Sequence, residues 1–110
     1  MSFPSVPEEF LYLLNQVFDM ERQVAKLPES NSLTRNLDRM KNKFLDLGLE
    51  MVNPLGESYD ETRTDCEANI AGESSDNLVI TDVVKPIVRL RNGGSAFIVQ
   101  KAVVIVESRA

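Results

Sequence analysis

The apolar residues in the first half of the chain recur with the spacing of two amphipathic helices. Between residues 10 and 27 they lie alternately three and four positions apart, and the same alternation returns between residues 33 and 47. This heptad spacing predicts one helix in each range, with an apolar stripe along one side. Pro28 ends the first range, and the short polar segment after it predicts a turn. We therefore expect an antiparallel helical hairpin.

The first predicted helix carries more apolar surface than one hairpin can bury. Leu11, Leu14 and Phe18 extend its stripe around most of the circumference. A helix of this kind is covered by more than one neighbour. Pairing two hairpins into a four-helix bundle would remove this surface from water, so the pattern predicts a homodimer. The predicted interface residues are Phe10, Leu13, Leu14, Val17, Met20, Val24, Leu37, Met40 and Phe44.

The last third of the chain has the composition of β-strands. Valine and isoleucine dominate residues 78–107, and β-branched side chains pack well on a pleated surface. Asn92, Gly93 and Gly94 predict a tight reversal, and the final segment is apolar on both faces, which indicates a central strand. These strands would form a small, mainly antiparallel sheet or half-barrel. The four predicted strands are about 78–84, 87–91, 96–100 and 101–107.

The second of these strands alternates clearly between its two faces. Val88 and Leu90 lie on one side, whereas Ile87, Arg89 and Arg91 lie on the other.

The segment that connects the helices to the sheet is less regular. Leu49, Met51 and Val52 predict a short strand. Residues 62–72 show no clear period, so we expect them to be irregular or to form a short extended piece. The chain therefore divides into a helical region, residues 1–47, and a β-rich region, residues 48–110.

Charge is distributed unevenly around a formal net charge of −5. Residues 50–76 contain eight acidic side chains against one arginine, whereas residues 77–110 contain two acidic side chains against five basic ones. Nucleic-acid binding needs a basic footprint, so this balance argues against nucleic acid as a partner. We expect neither a signal peptide nor a membrane span. The single cysteine, Cys66, fits a reducing cytoplasm.

The sequence offers little catalytic or metal-binding chemistry. It contains no histidine, the commonest general base and zinc ligand. Cys66 therefore has no histidine to activate it, and we expect it to be a semi-buried small apolar residue. The acidic residues Asp60, Glu61, Asp65 and Glu67 cluster without the spacing of a calcium loop. We expect no enzyme, no metal site and no cofactor.

Four segments of the second half resemble the head domain of GrpE, the nucleotide exchange factor of DnaK-type chaperones. Residues 48–60 are similar to the family's short apolar strand, which is followed by a glycine and then an aromatic-Asp pair. Residues 66–68, Cys-Glu-Ala, resemble the family's His-Glu-Ala. Residues 82–86 resemble its acidic-Val-Leu-Gln-Pro/Lys strand end, with Ile87 where the family usually has glycine. Residues 100–104 resemble Arg-Pro-Ala-Met-Val, with Gln-Lys in place of Arg-Pro.

The resemblance covers residues 48–107 and implies both a fold and a function. The implied fold is α+β, with an N-terminal helical hairpin in a dimeric four-helix bundle and a small, mainly antiparallel β head. The implied function is that of a co-chaperone, which binds the nucleotide-binding domain of a DnaK-type chaperone and promotes ADP release. The heptad helices are shorter here than the family's long paired helix. By this resemblance, the partner would be contacted by Pro86, Val88, Phe97, Gln100 and Lys101.

Other hypotheses stay open at this point. A dimeric adaptor or scaffold would keep the GrpE-like shape without exchange activity. An enzyme that uses the acidic residues between Asp60 and Glu67 is a third and weaker hypothesis. Phe97 emerges directly from the predicted turn, so it is either an exposed contact residue or part of the core of the head.

Overall fold

The computed structural model describes residues 6–27 and 32–109 of the chain. Within these ranges it contains two helices followed by six strands in two small sheets, which confirms the predicted α+β class. Neither described helix is long and apolar enough to cross a membrane. The turn predicted after Pro28 lies outside the described residues. The elements are α1 (Glu8–Ala25), α2 (Ser32–Asp46), β1 (Leu49–Val52), β2 (Cys66–Ile70), β3 (Leu78–Lys85), β4 (Ile87–Asn92), β5 (Ser95–Gln100) and β6 (Ala102–Ser108).

Gly48 lies between the end of α2 and the start of β1. Its φ of 85° lies in the left-handed region, which glycine adopts without the steric cost of a Cβ atom. The site also has no room for a side chain, because a Cβ atom there would lie 2.9 Å from the carbonyl oxygen of Arg91. The Arg91 amide donates to the Gly48 carbonyl oxygen at 2.8 Å. This close approach ties the end of the helical hairpin to β4.

The first sheet is antiparallel and has the strand order β1-β4-β5. Its register places Leu49, Leu90 and Phe97 in one row across the three strands. Leu49 and Leu90 pack with Leu14 of α1, so this row lies on the face that is turned toward the helices. Arg89 lies on the opposite face, as the alternation of this strand predicts, and pairs there with Glu50 and Ile98.

The second sheet has the strand order β2-β6-β3, with β2 parallel and β3 antiparallel to β6. The predicted central position of the last strand is confirmed. The prediction of a single sheet or half-barrel is wrong, because the chain changes sheet at two single residues. Pro86 separates β3 from β4, and Lys101 separates β5 from β6. Pro86 has no amide hydrogen to donate, which favours a break in the ladder at that position.

Two clusters of buried side chains join the helices to the two sheets, and α1 contributes to both. In the first core cluster, Phe18 packs with side chains of the second sheet such as Ile80 and Val104. In the second core cluster, Leu14 packs with Leu49 and other side chains of the first sheet. The helix α1 is therefore part of the β-rich core as well as part of the helical hairpin.

Candidate interaction surfaces

An apolar groove runs between α1 and α2 on the surface of the helical hairpin. Its volume is about 600 Å³, and its apolar lining includes Leu13, Val17, Met20, Met40 and Phe44. Leu13 is 53% exposed, Met20 41% and Met40 37%. Adjacent large apolar side chains with this much exposure are typical of a protein-binding surface. We call these five residues the hairpin groove.

The remaining residues of the predicted dimer interface lie elsewhere. Leu14 has no exposed area and packs on the first sheet, so its assignment to the interface is wrong. The apolar stripe of α1 is wide enough that some of its side chains pack on the first sheet while others line the hairpin groove. Leu37 is also buried within a single chain. Phe10 is exposed and Val24 is half-buried, and neither lines the groove.

The predicted partner-binding residues do not form one exposed face. Pro86 and Val88 are fully buried, so the expectation that they project from the sheet is wrong. Val88 belongs to the second core cluster, because the face of β4 that it shares with Leu90 is turned toward the helices. Phe97 pairs with Leu90 on that face and is half-buried. Lys101 is exposed at the corner between β5 and β6.

Gln100, the fifth predicted contact, is engaged inside the molecule. The amide nitrogen of Asn15 on α1 donates to Oε1 of Gln100 at 3.0 Å, and Nε2 of Gln100 donates to Oδ1 of Asn15 at 2.9 Å. The same Nε2 donates to the Pro86 carbonyl oxygen at 2.9 Å. Any partner that binds the Gln100 side chain would have to compete with these hydrogen bonds. In this structure Gln100 fixes α1 to β5.

The opposite face of the first sheet is open near the turn between β4 and β5. Glu50, Arg89 and Ile98 form a cross-strand row on this face, and Arg91 lies two residues beyond Arg89. The Glu50 carboxylate lies 3.0 Å from the Arg91 guanidinium and 3.8 Å from that of Arg89. Ile98 is 45% exposed, and the Arg91 side chain is 64% exposed. We call these four residues the arginine face.

Arg63 organises the connection between β1 and β2. Its guanidinium lies 2.6 Å from Asp65 and 2.8 Å from Glu57, and it donates to the Ser58 carbonyl oxygen at 3.1 Å. The side chains of Arg63 and Asp65 are each 20% exposed. The sequence shows an acidic cluster here, but its spacing does not show that Arg63 pairs with two of these carboxylates. The available signal was that Arg63 is the single basic residue among the eight acidic side chains of residues 50–76.

The Arg63–Asp65 pair predicts an acid-dependent contribution to stability. The hydrogen bond from Arg63 lowers the pKa of Asp65, so the carboxylate stabilises the fold above its unfolded pKa of about 4. This contribution is lost as the pH falls through the lower pKa of the folded state. We expect Asp65→Asn to reduce the free energy of unfolding at neutral pH by about 1 kcal/mol. Urea denaturation at pH 7 and pH 3 should show a smaller acid-induced loss in Asp65→Asn than in the wild type. Equal losses would contradict this assignment.

The side chain of Asp60 in this segment takes part in a local turn. The Asp60 carboxylate accepts hydrogen bonds from the amide of Thr62, at 2.8 Å, and from the Thr62 hydroxyl. These hydrogen bonds lower the pKa of Asp60. Within residues 6–27 and 32–109, no group of three or more cysteine and acidic side chains could hold a metal ion.

Cys66 lies at the start of β2 and packs in the first core cluster. It is 6% exposed, which confirms the expectation of a small apolar residue in the packing. Burial raises the pKa of its thiol to about 11. The thiol is therefore protonated at neutral pH and is a poor nucleophile.

We expect Cys66→Ala to fold and to bind the same partner as the wild-type chain. Its free energy of unfolding should fall by about 1 kcal/mol, because a small core side chain is truncated. Urea denaturation measures the loss, and a binding assay with the same partner measures the function. A folded Cys66→Ala chain without function would require a mechanism that uses the thiol.

No protein-family model, curated protein or solved structure matches the chain. The hairpin groove and the arginine face are surfaces of different kinds: the groove is apolar, and the arginine face carries charge around an exposed isoleucine.

Proposed function

We propose that the chain is a homodimeric co-chaperone of the GrpE type, which binds the nucleotide-binding domain of a DnaK-type chaperone and accelerates ADP release. The observation that carries this proposal is the arrangement of the elements. A helical hairpin with an open apolar groove precedes six strands, and the first helix packs into both sheets. This order agrees with the dimerisation region and β head that the resemblance of residues 48–107 implies.

The proposed activity requires no residue that makes or breaks a bond. An exchange factor binds the open form of its partner's nucleotide cleft more tightly than the closed form, and this difference in affinity favours ADP release. A rigid binding surface suits such discrimination. Besides the packing of Leu14 and Phe18, two polar contacts fix the β-rich region to α1. They are the Asn15–Gln100 amide pair and the Arg22 guanidinium, which lies 2.8 Å from the Asp82 carboxylate.

A second copy of the chain would dock in the hairpin groove. The first turn of α1 carries Glu8 and Glu9, whereas Arg39 and Lys43 of α2 lie beside the apolar lining of the groove. Placing α1 of one copy against α2 of the other would bring these opposite charges together. It would also cover Leu13 and the two exposed methionines of the groove, which water contacts in a single chain.

The nucleotide dependence of binding tests this function. A factor that lowers the affinity of the chaperone for nucleotide must lose affinity to the same extent when nucleotide is bound. We therefore expect the full chain to bind the nucleotide-free chaperone most tightly, and to bind it more weakly in saturating ADP or ATP. Isothermal titration calorimetry measures the affinity in each state. Equal affinities with and without nucleotide would contradict exchange activity.

A dimeric adaptor or scaffold is the second candidate, and one observation favours it. Pro86 and Val88 are buried, so two of the expected chaperone contacts are not at the surface. A third, the half-buried Gln100, is already hydrogen-bonded to Asn15. An adaptor would use the same dimer but would bind its partner regardless of nucleotide. Binding that is insensitive to nucleotide would favour this alternative.

A further inference from the structure

We propose that the arginine face docks on the chaperone and that it fits an acidic protein surface. This inference rests on the proposed function and names the surface through which the head would act. The opposite face of the same strands is not available for this contact, because Val88 and Leu90 on that face pack toward the helices.

The arginine face has one end anchored in the core and one end open. Val52 and Ile87 pair on this side of the first sheet and pack in the first core cluster. At the next pair on the same face, Glu50 and Arg89 reach the surface, where Ile98 completes the row and is 45% exposed. The open part therefore lies on a sheet whose position is fixed by buried side chains. Such a surface is preorganised for binding.

The charges of this face favour an acidic partner. Two guanidinium groups share the single carboxylate of Glu50, so the face keeps an excess of one positive charge in a chain whose net charge is −5. The Arg91 side chain is 64% exposed, which leaves most of its surface accessible to a partner. Guanidinium groups bind carboxylates through paired hydrogen bonds. An exposed isoleucine beside them supplies the apolar centre that protein interfaces have within a polar rim.

The same charges argue against nucleic acid as the occupant. Phosphate backbones are bound by several basic side chains together, whereas this face offers two arginines that are already paired with Glu50.

Release of a fluorescent ADP analogue from the nucleotide-binding domain of a DnaK-type chaperone tests the proposal, with the full chain added at increasing concentration. We expect Arg91→Glu to raise the half-maximal concentration at least about tenfold, because an attractive contact becomes repulsive. The wild-type half-maximal concentration should also rise with salt. Arg35→Glu is the matched control, since it makes the same charge change at an exposed position of α2. This control should leave the half-maximal concentration unchanged.

Arg91→Gln and Ile98→Ala keep the test decisive if Arg91→Glu disturbs the sheet through repulsion by Glu50. Each should raise the half-maximal concentration several-fold, while circular dichroism and light scattering show the wild-type fold and mass. Wild-type values in both folded variants would overturn the arginine face and leave the proposed function intact. An equal rise in the half-maximal concentration for Arg35→Glu would also overturn it. A change from dimer to monomer in either variant would overturn it as well, because the arginine face would then contact a second copy of the chain. A wild-type chain that does not accelerate ADP release would overturn both proposals.

Discussion

Replacing Phe18 with alanine should lower the free energy of unfolding by about 3–5 kcal/mol. Phe18 is 1% exposed and is the side chain through which α1 enters the first core cluster. Its removal would leave a cavity between the helix and the second sheet. It would also remove the contact with Arg22, whose guanidinium lies 5.8 Å from the ring centre. A domain of this size has a total stability of about 5–15 kcal/mol, so the loss would be a large share of it.

Tyr12→Ala is the matched control for this substitution. Tyr12 is an aromatic residue in the same helix but is 64% exposed, so its removal should change stability by less than about 0.5 kcal/mol. Urea denaturation of the wild type and both variants at one fixed protein concentration measures the difference, since the stability of a dimer depends on concentration. Similar losses in the two variants would show that α1 is not part of the core.

Replacing Met20 with aspartate should convert the proposed dimer into a monomer. Met20 lines the hairpin groove and is 41% exposed in a single chain, so the monomer should tolerate the charge. In the dimer each copy would bury an unpaired carboxylate, at a cost of several kcal/mol. Light scattering at micromolar concentration should give twice the chain mass of 12.3 kDa for the wild type, and this single-chain mass for Met20→Asp.

Leu55→Asp is the control for the groove. Leu55 is an apolar residue with 55% exposure in the turn after β1, and it does not line the groove. This variant should keep the mass of the dimer. A monomeric wild type at micromolar concentration would contradict the dimer, and a dimeric Met20→Asp chain would place its interface outside the hairpin groove.

The elements that sequence predicts well are those that depend on local periodicity and turn chemistry. The two helices follow from the heptad spacing, and the strand predicted at 87–91 is found at Ile87–Asn92. Strand β2 depends instead on a distant partner. Its residues, Cys66–Ile70, alternate between apolar and polar side chains, but the segment is short and contains Ala68 and Asn69, which have low strand propensity. The parallel pairing with β6 makes it a strand, and this pairing is not visible in a local pattern.

Periodicity also shows which residues share a face without showing what that face meets. The alternation along β4 correctly predicts that Val88 and Leu90 share one side, but it does not show that this side faces the helices. Two of the partner contacts that the resemblance implies, Pro86 and Val88, are therefore buried. In the same way, the wide stripe of α1 indicated two neighbours. It did not show that Leu14 meets the first sheet while Met20 lines the groove.

The rate of ADP release tests the proposed function most directly. A DnaK-type chaperone loaded with a fluorescent ADP analogue is mixed with excess unlabelled nucleotide and increasing amounts of the full chain. We predict that the release rate rises with the concentration of the chain and reaches a plateau, because each complex favours the open cleft. An unchanged release rate, at concentrations where the chain is shown to bind the chaperone, would contradict exchange activity and leave the dimeric adaptor.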